Sequence, residues 1–176
     1  MKQLRKLFRL IHKNLISANS YALKSGVKFG KNCKFLTNKF GSEPYLITIG
    51  DNFYSSSNVQ FVTHDGSINV IRNKYPEYKQ ADIFKPITIG NNVFLGYGTI
   101  ILPGTEIGDN VIIGAGSIVK GKVESDSIYA GMPAKFICSV DDYLNRNKDS
   151  FVYTKDLQKD AKKREILKGI EKNRES

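Results

Sequence analysis

The sequence predicts an all-β fold in which short parallel strands wind into a triangular β-helix, with a helical segment at each end of the chain. Three observations favour this fold. An aliphatic residue returns every sixth position, a small or β-branched residue follows four positions later, and glycine, asparagine or aspartate stands between them. The chain has 176 residues, 40% of them hydrophobic and 25% charged, which suits one globular domain of ordinary size.

The repeat is most regular in the second half of the chain. Aliphatic side chains stand at Ile89, Leu95, Ile101, Ile107, Ile113 and Val119, and the residues four positions later are Val93, Thr99, Thr105, Val111, Ser117 and Val123. A period of six fits short strands joined by tight corners, because glycine and asparagine tolerate the backbone angles that corners need. Three such units close one coil, which predicts stacked pairs in neighbouring coils. The pairs are Ile89 with Ile107, Leu95 with Ile113 and Ile101 with Val119.

Earlier in the chain the repeat is rougher but still legible. Its positions are Phe29 and Phe35 in a first series, then Ile49, Ser55 and Phe61 in a second. Residues 36–48 lose the phase, which predicts a small insertion at a corner. Residues 65–86 are too polar and irregular for coils, so we expect a loop that protrudes from the prism.

The two ends of the chain differ from the repeat. We expect residues 1–20 to be a basic amphipathic helix, residues 21–138 the β-helix domain and residues 139–176 a charged helical extension. Apolar residues recur at helical spacing within residues 2–16, opposite lysines and arginines. Two interpretations of this helix stay open: it caps the open end of the β-helix, or it contacts an anionic membrane surface.

The charge of +10 is concentrated at the N-terminal end of the chain. Residues 1–40 carry ten basic and no acidic residues, residues 41–138 seven against nine, and residues 139–176 ten against eight. This distribution argues against a nucleic-acid-binding face, because the middle of the chain is slightly acidic. No run of about 20 apolar residues predicts a membrane span, and no secretory signal is recognised, so we expect a cytoplasmic protein.

The two cysteines, Cys33 and Cys138, are too few for a disulfide framework and lack the paired spacing of a zinc site. We therefore expect both to be buried thiols and expect no metal site.

The segment ITIGNNVFLGYGTIILPGTEIGDNVIIGAGSIVKGKV, followed by IYAGMPAKFI, resembles the hexapeptide-repeat acyltransferases. The resemblance covers roughly residues 27–138 and implies a left-handed parallel β-helix. Within that superfamily the chain looks most like sugar O-acetyltransferases of surface-polysaccharide biosynthesis. The expected activity is transfer of an acetyl group from acetyl-CoA to a sugar or polysaccharide-precursor hydroxyl.

Acetyl transfer to a hydroxyl requires a base, and histidine suits this role near neutral pH. The chain has two histidines, His12 in the basic N-terminal segment and His64 where the coil meets the polar loop. In the resembled family the catalytic histidine stands just before such a loop, so the resemblance assigns the general base to His64. Adjacent strand residues point to opposite faces, which argues against Asp65 as the group that orients the ring. The sequence does not identify that group, and a backbone carbonyl would serve.

The resemblance also implies a donor site. Acetyl-CoA lies between adjacent subunits of a homotrimer in this family, which places Gly96 and Tyr97 near the thiol end and Ala115 beside the pantetheine arm. Lys120 and Lys135 fall at positions that approach the nucleotide end, where lysines meet phosphates as point charges. The family's usual Thr-Lys-Asp is replaced here by Lys-Gly-Lys at residues 120–122, which weakens the nucleotide-end assignment.

For the acceptor, we expect contacts from Asn58 and Arg72, which flank His64 in the sequence. We expect direct transfer without a covalent intermediate, because attack of the acceptor hydroxyl on the thioester requires none. The acceptor itself stays open, as does the choice between a hydroxyl and an amine.

Other function classes remain as alternatives. They are an acetyltransferase for a small molecule such as an antibiotic, and a noncatalytic β-helix scaffold. A metal-dependent hydratase of the γ-carbonic anhydrase kind needs three histidine ligands, one more than the chain contains.

Overall fold

Three sheets form the sides of a triangular prism in this computed structural model, which describes residues 17–175. Sheet A contains β1 (Lys28–Phe29), β3 (Ile47–Ile49), β6 (Ile87–Ile89), β9 (Glu106–Ile107) and β12 (Lys122–Val123). Sheet B contains β2 (Lys34–Phe35), β4 (Tyr54–Ser55), β7 (Val93–Leu95), β10 (Val111–Ile113), β13 (Ser127–Gly131) and β14 (Ala134–Ser139). Sheet C contains β5 (Gln60–Phe61), β8 (Ile100–Ile101) and β11 (Ile118–Val119).

The chain visits sheets A, B and C in turn, so that each round is one coil of the prism. We number the coils 1 (28–46), 2 (47–86), 3 (87–105), 4 (106–121) and 5 (122–131). In coil 1 the sheet C position is held by Lys39, which pairs with Gln60 in a parallel bridge. Edge AB, edge BC and edge CA denote the three lines of corners where the chain passes between the named sheets. The predicted left-handed parallel β-helix is confirmed.

The interior of the prism is filled by the residues of the repeat. The three predicted pairs stack across coils 3 and 4 in parallel register, and all six side chains are at most 4% exposed. Burying an aliphatic side chain of this size contributes about 1.5–3 kcal/mol, so the stacked residues stabilise the prism. The buried hydroxyls of Thr99, Thr105 and Ser117 each donate to the carbonyl three residues earlier, which satisfies them inside the prism.

Helix α1 (Ala18–Ser25) closes the coil 1 end of the prism. The Ser17 hydroxyl caps its first turn, and Gly26 ends it in a left-handed conformation with φ +103°. The Asn19 side chain donates to the Cys33 carbonyl at 2.6 Å and accepts from the Phe35 amide at 3.0 Å, which occupies backbone groups at the free edge of sheet B. The amphipathic helix predicted over residues 2–16 lies outside the described residues.

The polar segment 65–86 leaves the prism at edge CA and contains α2 (Ile68–Lys74) and a 3-10 turn at Pro76–Tyr78. Two backbone hydrogen bonds join its ends: Lys85 N–H donates to the Thr63 carbonyl and Asp65 N–H to the Ile83 carbonyl, both at 3.0 Å. The loop therefore starts and finishes at fixed points on the prism.

The β-helix ends in an antiparallel pair, in which β14 folds back on β13. Residues 141–176 form a separate compact unit. The helices here are α3 (Val140–Asn147), a 3-10 turn at Lys148–Ser150 and α4 (Lys159–Glu175). Among residues 17–175, no helix combines the length and apolar character that crossing a membrane requires.

The two cysteines are both free thiols but differ in burial. Cys138 is buried as expected, whereas Cys33 is only partly buried. The expectation for Cys33 is wrong because its side chain lies at a corner of coil 1, where its sulfur contacts the Gly50 carbonyl at 3.3 Å. Desolvation raises the pKa of this thiol above its usual value.

Candidate active site

His64 lies on edge CA, at the point where coil 2 leaves the prism for the loop. It pairs with Phe84 in an antiparallel bridge, and the two rings lie edge to face with their centroids 6.3 Å apart. Its side chain is 46% exposed, so the ring is held at its base and open to ligands. An exposed imidazole on a backbone fixed at both ends can accept a proton from a bound molecule.

The Nδ1 atom of His64 is engaged by two residues from coil 1. Glu43 Oε2 lies 3.1 Å from Nδ1 and Ser42 Oγ lies 3.0 Å from it. The Thr63 hydroxyl donates to the same Glu43 oxygen at 2.8 Å. Burial opposes ionisation of Glu43, but hydrogen bonds from Thr63, Ser42 and His64 outweigh it and hold the pKa of the carboxyl below its usual value.

The corner insertion predicted at residues 36–48 is what carries Ser42 and Glu43 to this place. Phe40 anchors it in the core, and Gly41 turns the chain with φ +71°. A side chain at Gly41 would place its Cβ 3.0 Å from the Phe61 carbonyl oxygen and 3.1 Å from Thr63 Oγ1. The insertion therefore packs directly against the strand that leads to His64.

Two cavities meet at His64, one on each side along the prism axis. The coil 3 cavity, of about 430 Å³, is bounded by the loop and by later corners of edge CA. Its lining residues are Val62, His64, Asp65, Gly66, Ile83, Lys85, Leu102, Pro103 and Lys120. The coil 1 cavity, of about 320 Å³, is lined by Lys39, Gly41, Ser42, Gln60, Phe61, Val62, Thr63 and His64. Only Val62 and His64 belong to both linings.

The coil 3 cavity has a cationic wall. Hydrogen bonds with Ser67 lower the pKa of the Asp65 carboxyl, and the charges of Lys120 and Lys85 lower it further. The backbone amide of Ser67 donates to Asp65 Oδ1 at 2.9 Å, so Asp65 is directed at the loop. With two lysines facing one carboxylate, this cavity suits an anionic ligand.

The predicted donor residues Gly96, Tyr97 and Ala115 lie together on edge BC, away from His64. A Cβ at Gly96 would stand 2.5 Å from the Ala115 amide nitrogen, so close stacking of the coils alone requires glycine there. Tyr97 is 57% exposed, and its hydroxyl accepts a hydrogen bond from Asn58 Nδ2 at 2.7 Å. Asn58 thus stands beside Tyr97 on edge BC, not beside His64 as its place in the sequence suggested.

Three other predicted residues fall elsewhere. Lys120 lines the coil 3 cavity with His64, although its expected place was at the nucleotide end of the donor. Lys135 is an exposed residue of β14, paired with Ala130 in the closing hairpin. Arg72 holds the loop together, since its guanidinium donates to the Ala81 carbonyl at 2.5 Å and pairs with Asp82. Neither Arg72 nor Asn58 lines a cavity at His64.

Sequence reasoning did not single out Ser42, Glu43 or Lys85. One signal could have identified the first two: the loss of phase at residues 36–48 falls one coil before His64, on the same edge of the prism. Lys85 precedes the regular coil that begins at Ile87, and it is fixed by the hydrogen bond that closes the loop. Among the described residues, no three side chains of the metal-ligating types converge on one point.

Comparison with known proteins agrees with this architecture. Residues 86–121 match the family model described as bacterial transferase hexapeptide, six repeats. The chain is 45% identical over 174 residues to the protein CapG of Staphylococcus aureus, covering 97% of this chain and 99% of CapG. It is 34% identical over 140 residues to the galactoside O-acetyltransferase of Escherichia coli, covering 78% of this chain and 64% of that enzyme.

A solved structure shows the same fold. It is a hexapeptide-repeat acetyltransferase from Vibrio cholerae, determined in complex with acetyl coenzyme A. The TM-score is 0.52 at 27% identity, and the match covers 65% of this chain and 60% of that one.

Proposed function

The chain belongs to the family of bacterial hexapeptide-repeat transferases, and on that premise we propose that it moves an acetyl group from acetyl-CoA to a sugar hydroxyl. The observation that carries this proposal is the position of His64 between two cavities. Direct transfer needs a base that reaches both substrates at once, and a residue in both linings meets that need.

The transfer proceeds in one bound complex. His64 takes the proton of the acceptor hydroxyl on Nε2 while the hydroxyl oxygen forms a bond to the thioester carbonyl carbon. The carbon–sulfur bond of the tetrahedral intermediate then breaks, and the departing thiolate takes the proton back from the imidazolium. The products are the acetyl ester and free coenzyme A, so the proton and both electron pairs are accounted for.

The donor is assigned to the coil 3 cavity because of its charge. Lys85 and Lys120 face this cavity, and acetyl-CoA is a polyanion whose phosphates lysines attract. We propose that Lys120 contacts the donor in the same cavity as His64. The acceptor is assigned to the coil 1 cavity, whose volume of about 320 Å³ accommodates a single sugar ring beside the polar groups of Ser42 and Gln60.

A homotrimer is part of the proposal. The outward side chains of sheet A are polar at Thr88, Glu106 and Lys122, whereas those of sheet B include Tyr54 and Phe94, which are 37% and 36% exposed. Exposed aromatic residues in a ladder suit contact with another copy of the chain.

The same arrangement explains why four of the five predicted donor residues fall on two edges. Edge BC and edge CA are separated by the width of sheet C, about four residues or roughly 13 Å of extended chain. A donor bound between two copies meets His64 and Lys120 of one copy and Gly96, Tyr97 and Ala115 of the next.

The test measures thiol release from acetyl-CoA in the presence of a panel of acceptors, with wild type, His64→Ala and His12→Ala assayed in parallel. The panel contains nucleotide sugars, polysaccharide fragments and drugs of the streptogramin and chloramphenicol types. We expect a sugar to drive turnover that His64→Ala reduces by about 10²- to 10⁴-fold, the usual contribution of a positioned base. His12→Ala is the matched control and keeps wild-type turnover.

Three results bear against the proposal. If a drug drives turnover and no sugar does, the acceptor is a small molecule and not a sugar. Turnover that survives in His64→Ala overturns the base assignment. Absence of turnover together with no affinity for coenzyme A in a titration favours the scaffold.

A further inference from the structure

We propose that Glu43 is a positioning residue that fixes the tautomer and the orientation of the His64 ring. This inference rests on the proposed function, since it concerns the same site. It assigns a role to a residue that the repeat itself does not require, because Glu43 belongs to the corner insertion and not to a strand.

The Glu43 carboxylate is held by hydrogen bonds. One Glu43 oxygen receives the Thr63 hydroxyl at 2.8 Å and lies 3.1 Å from His64 Nδ1. The Glu43 side chain is only 15% exposed, against 46% for His64. A nearly buried carboxylate held by a second donor is a fixed acceptor, and charge-assisted hydrogen bonds of this kind are about twice as strong as neutral ones.

The partners of Nδ1 determine which ring nitrogen of His64 carries the proton. Ser42 also stands 3.0 Å from Nδ1, and a hydroxyl can either donate to that nitrogen or accept from it. The Ser42 side chain also hydrogen-bonds Glu43 and lowers the pKa of its carboxyl. An ionised carboxylate only accepts, so Ser42 donates to Glu43, and Nδ1 then carries a proton that it gives to the same group. Nε2 is left unprotonated and free to act as the base.

The corner insertion holds Ser42 and Glu43 in place beside His64. The sequence breaks its repeat at residues 36–48, and the structure uses the break to carry Ser42 and Glu43 under the next corner of edge CA. The buried Phe40 and the left-handed Gly41 hold the insertion against Phe61 and Thr63. Supporting contacts of this kind let a catalytic side chain keep one rotamer.

The experiment reads the tautomer of His64 by nitrogen-15 NMR of the imidazole ring and measures kinetics on the same samples. The chain has two histidines, so His64→Gln identifies which signals belong to His64. In wild type, the neutral His64 ring is expected to carry its proton on Nδ1. In Glu43→Ala, the ring is expected to populate both tautomers, and kcat falls about 10- to 100-fold with little change in the KM for acetyl-CoA.

Conservative variants separate positioning from folding. Glu43→Gln keeps an oxygen acceptor without the charge and is expected to fall between wild type and Glu43→Ala in both measurements. Thr63→Val keeps the shape of a buried side chain while removing its hydrogen bond to Glu43, and is expected to lower kcat less than Glu43→Ala does. Asp65→Asn is the control for the tautomer, since this neighbouring carboxylate hydrogen-bonds Ser67. Thermal melting shows that each variant is folded.

The proposal is overturned if His64 in folded Glu43→Ala keeps the wild-type tautomer. It is also overturned if Asp65→Asn moves the tautomer as far as Glu43→Ala does. These readouts need no turnover, so they stand apart from the test of the proposed function. If His64→Ala retains full activity but Glu43→Ala changes the tautomer, then the base assignment fails while the positioning contact holds.

Discussion

Edge AB and edge CA of the same prism are built in opposite ways. On edge AB every corner carries an Asn or Asp at a φ of +54° to +57°, and these residues are Asn32, Asn52, Asn92, Asn110 and Asp126. On edge CA the corners differ in every coil, and they include the insertion, the loop and His64. The residues of the regular edge adopt the backbone angles that tight corners need, whereas the irregular edge carries polar side chains that face cavities.

Side-chain ladders show what the regularity of edge AB achieves. Asn92 Nδ2 donates to Asn110 Oδ1 at 2.9 Å, and Asn110 Nδ2 donates to Asp126 Oδ1 at 2.8 Å. Each residue thus pairs with its equivalent in the next coil. The corners of edge CA are irregular and do not repeat one side chain from coil to coil. They place His64, Ser42 and Glu43 close together instead. In this chain the candidate site therefore lies where the sequence departs from the repeat.

The largest effect expected on edge AB comes from Gly90→Ala. The new Cβ would stand 2.8 Å from the backbone carbon and oxygen of Gly108, and stacked coils cannot separate locally. We expect a loss of stability of about 1–3 kcal/mol in denaturant unfolding, with kcat of the folded enzyme unchanged. The control is Gly66→Ala on edge CA, where a Cβ meets nothing within 4 Å. Equal losses in both variants would contradict the contrast between the edges.

Asn110→Ala is expected to weaken the same edge by about 1–2 kcal/mol, because an ordinary side chain is strained at positive φ. Asn110 has φ +55° and belongs to the ladder. Asn110→Gly relieves the strain but not the lost hydrogen bonds, so its melting temperature should lie between those of wild type and Asn110→Ala. If Asn110→Gly melts at a lower temperature than Asn110→Ala, conformational strain is not the main cause of the lost stability.

Lys120→Met tests whether a lysine that faces the coil 3 cavity binds the donor. Lys120 faces the coil 3 cavity, whereas Lys122, two residues later, is 68% exposed on sheet A and pairs with Glu124 at 3.0 Å. We expect Lys120→Met to raise the KM for acetyl-CoA about tenfold, which corresponds to about 1.4 kcal/mol. Lys122→Met should change it less than about twofold, as expected for an exposed ion pair. Equal effects from both lysines would show that only net charge matters.

The smallest effect expected is a pH dependence of stability from Glu43. Its pKa in the folded protein lies below the usual value because hydrogen bonds from Thr63, Ser42 and His64 overcome the opposing effect of burial. The stabilisation is therefore complete above the unfolded pKa of glutamate, about 4.3, and is lost as the pH falls through the lower folded pKa. Acidification should lower the melting temperature of wild type more than that of Glu43→Gln. Parallel curves for the two proteins would contradict this assignment.

Much of the fold could be predicted from the sequence because the repeat is local. The six-residue period identifies the buried pairs at Ile89 and Leu95, and the loss of phase identifies the insertion. The candidate site was harder to predict from the sequence, because its residues come from different coils. Glu43 and His64 are 21 residues apart and meet only when coil 1 stacks on coil 2.

The two acceptor expectations depended on closeness in sequence. Asn58 hydrogen-bonds Tyr97 on edge BC, and Arg72 hydrogen-bonds Ala81 within the loop. Neither outcome could be read from composition or period, because both depend on which corner a residue occupies and on which partner it finds there.

We propose that donor and acceptor approach His64 from opposite sides on edge CA. A crystal structure of the protein with coenzyme A would show which side the donor occupies. We expect the pantetheine arm to lie in the coil 3 cavity beside Lys85 and Lys120, with the sulfur within about 3–4 Å of the His64 ring or one water away from it. Coenzyme A bound with its sulfur distant from His64, and with the coil 3 cavity empty, would contradict this arrangement.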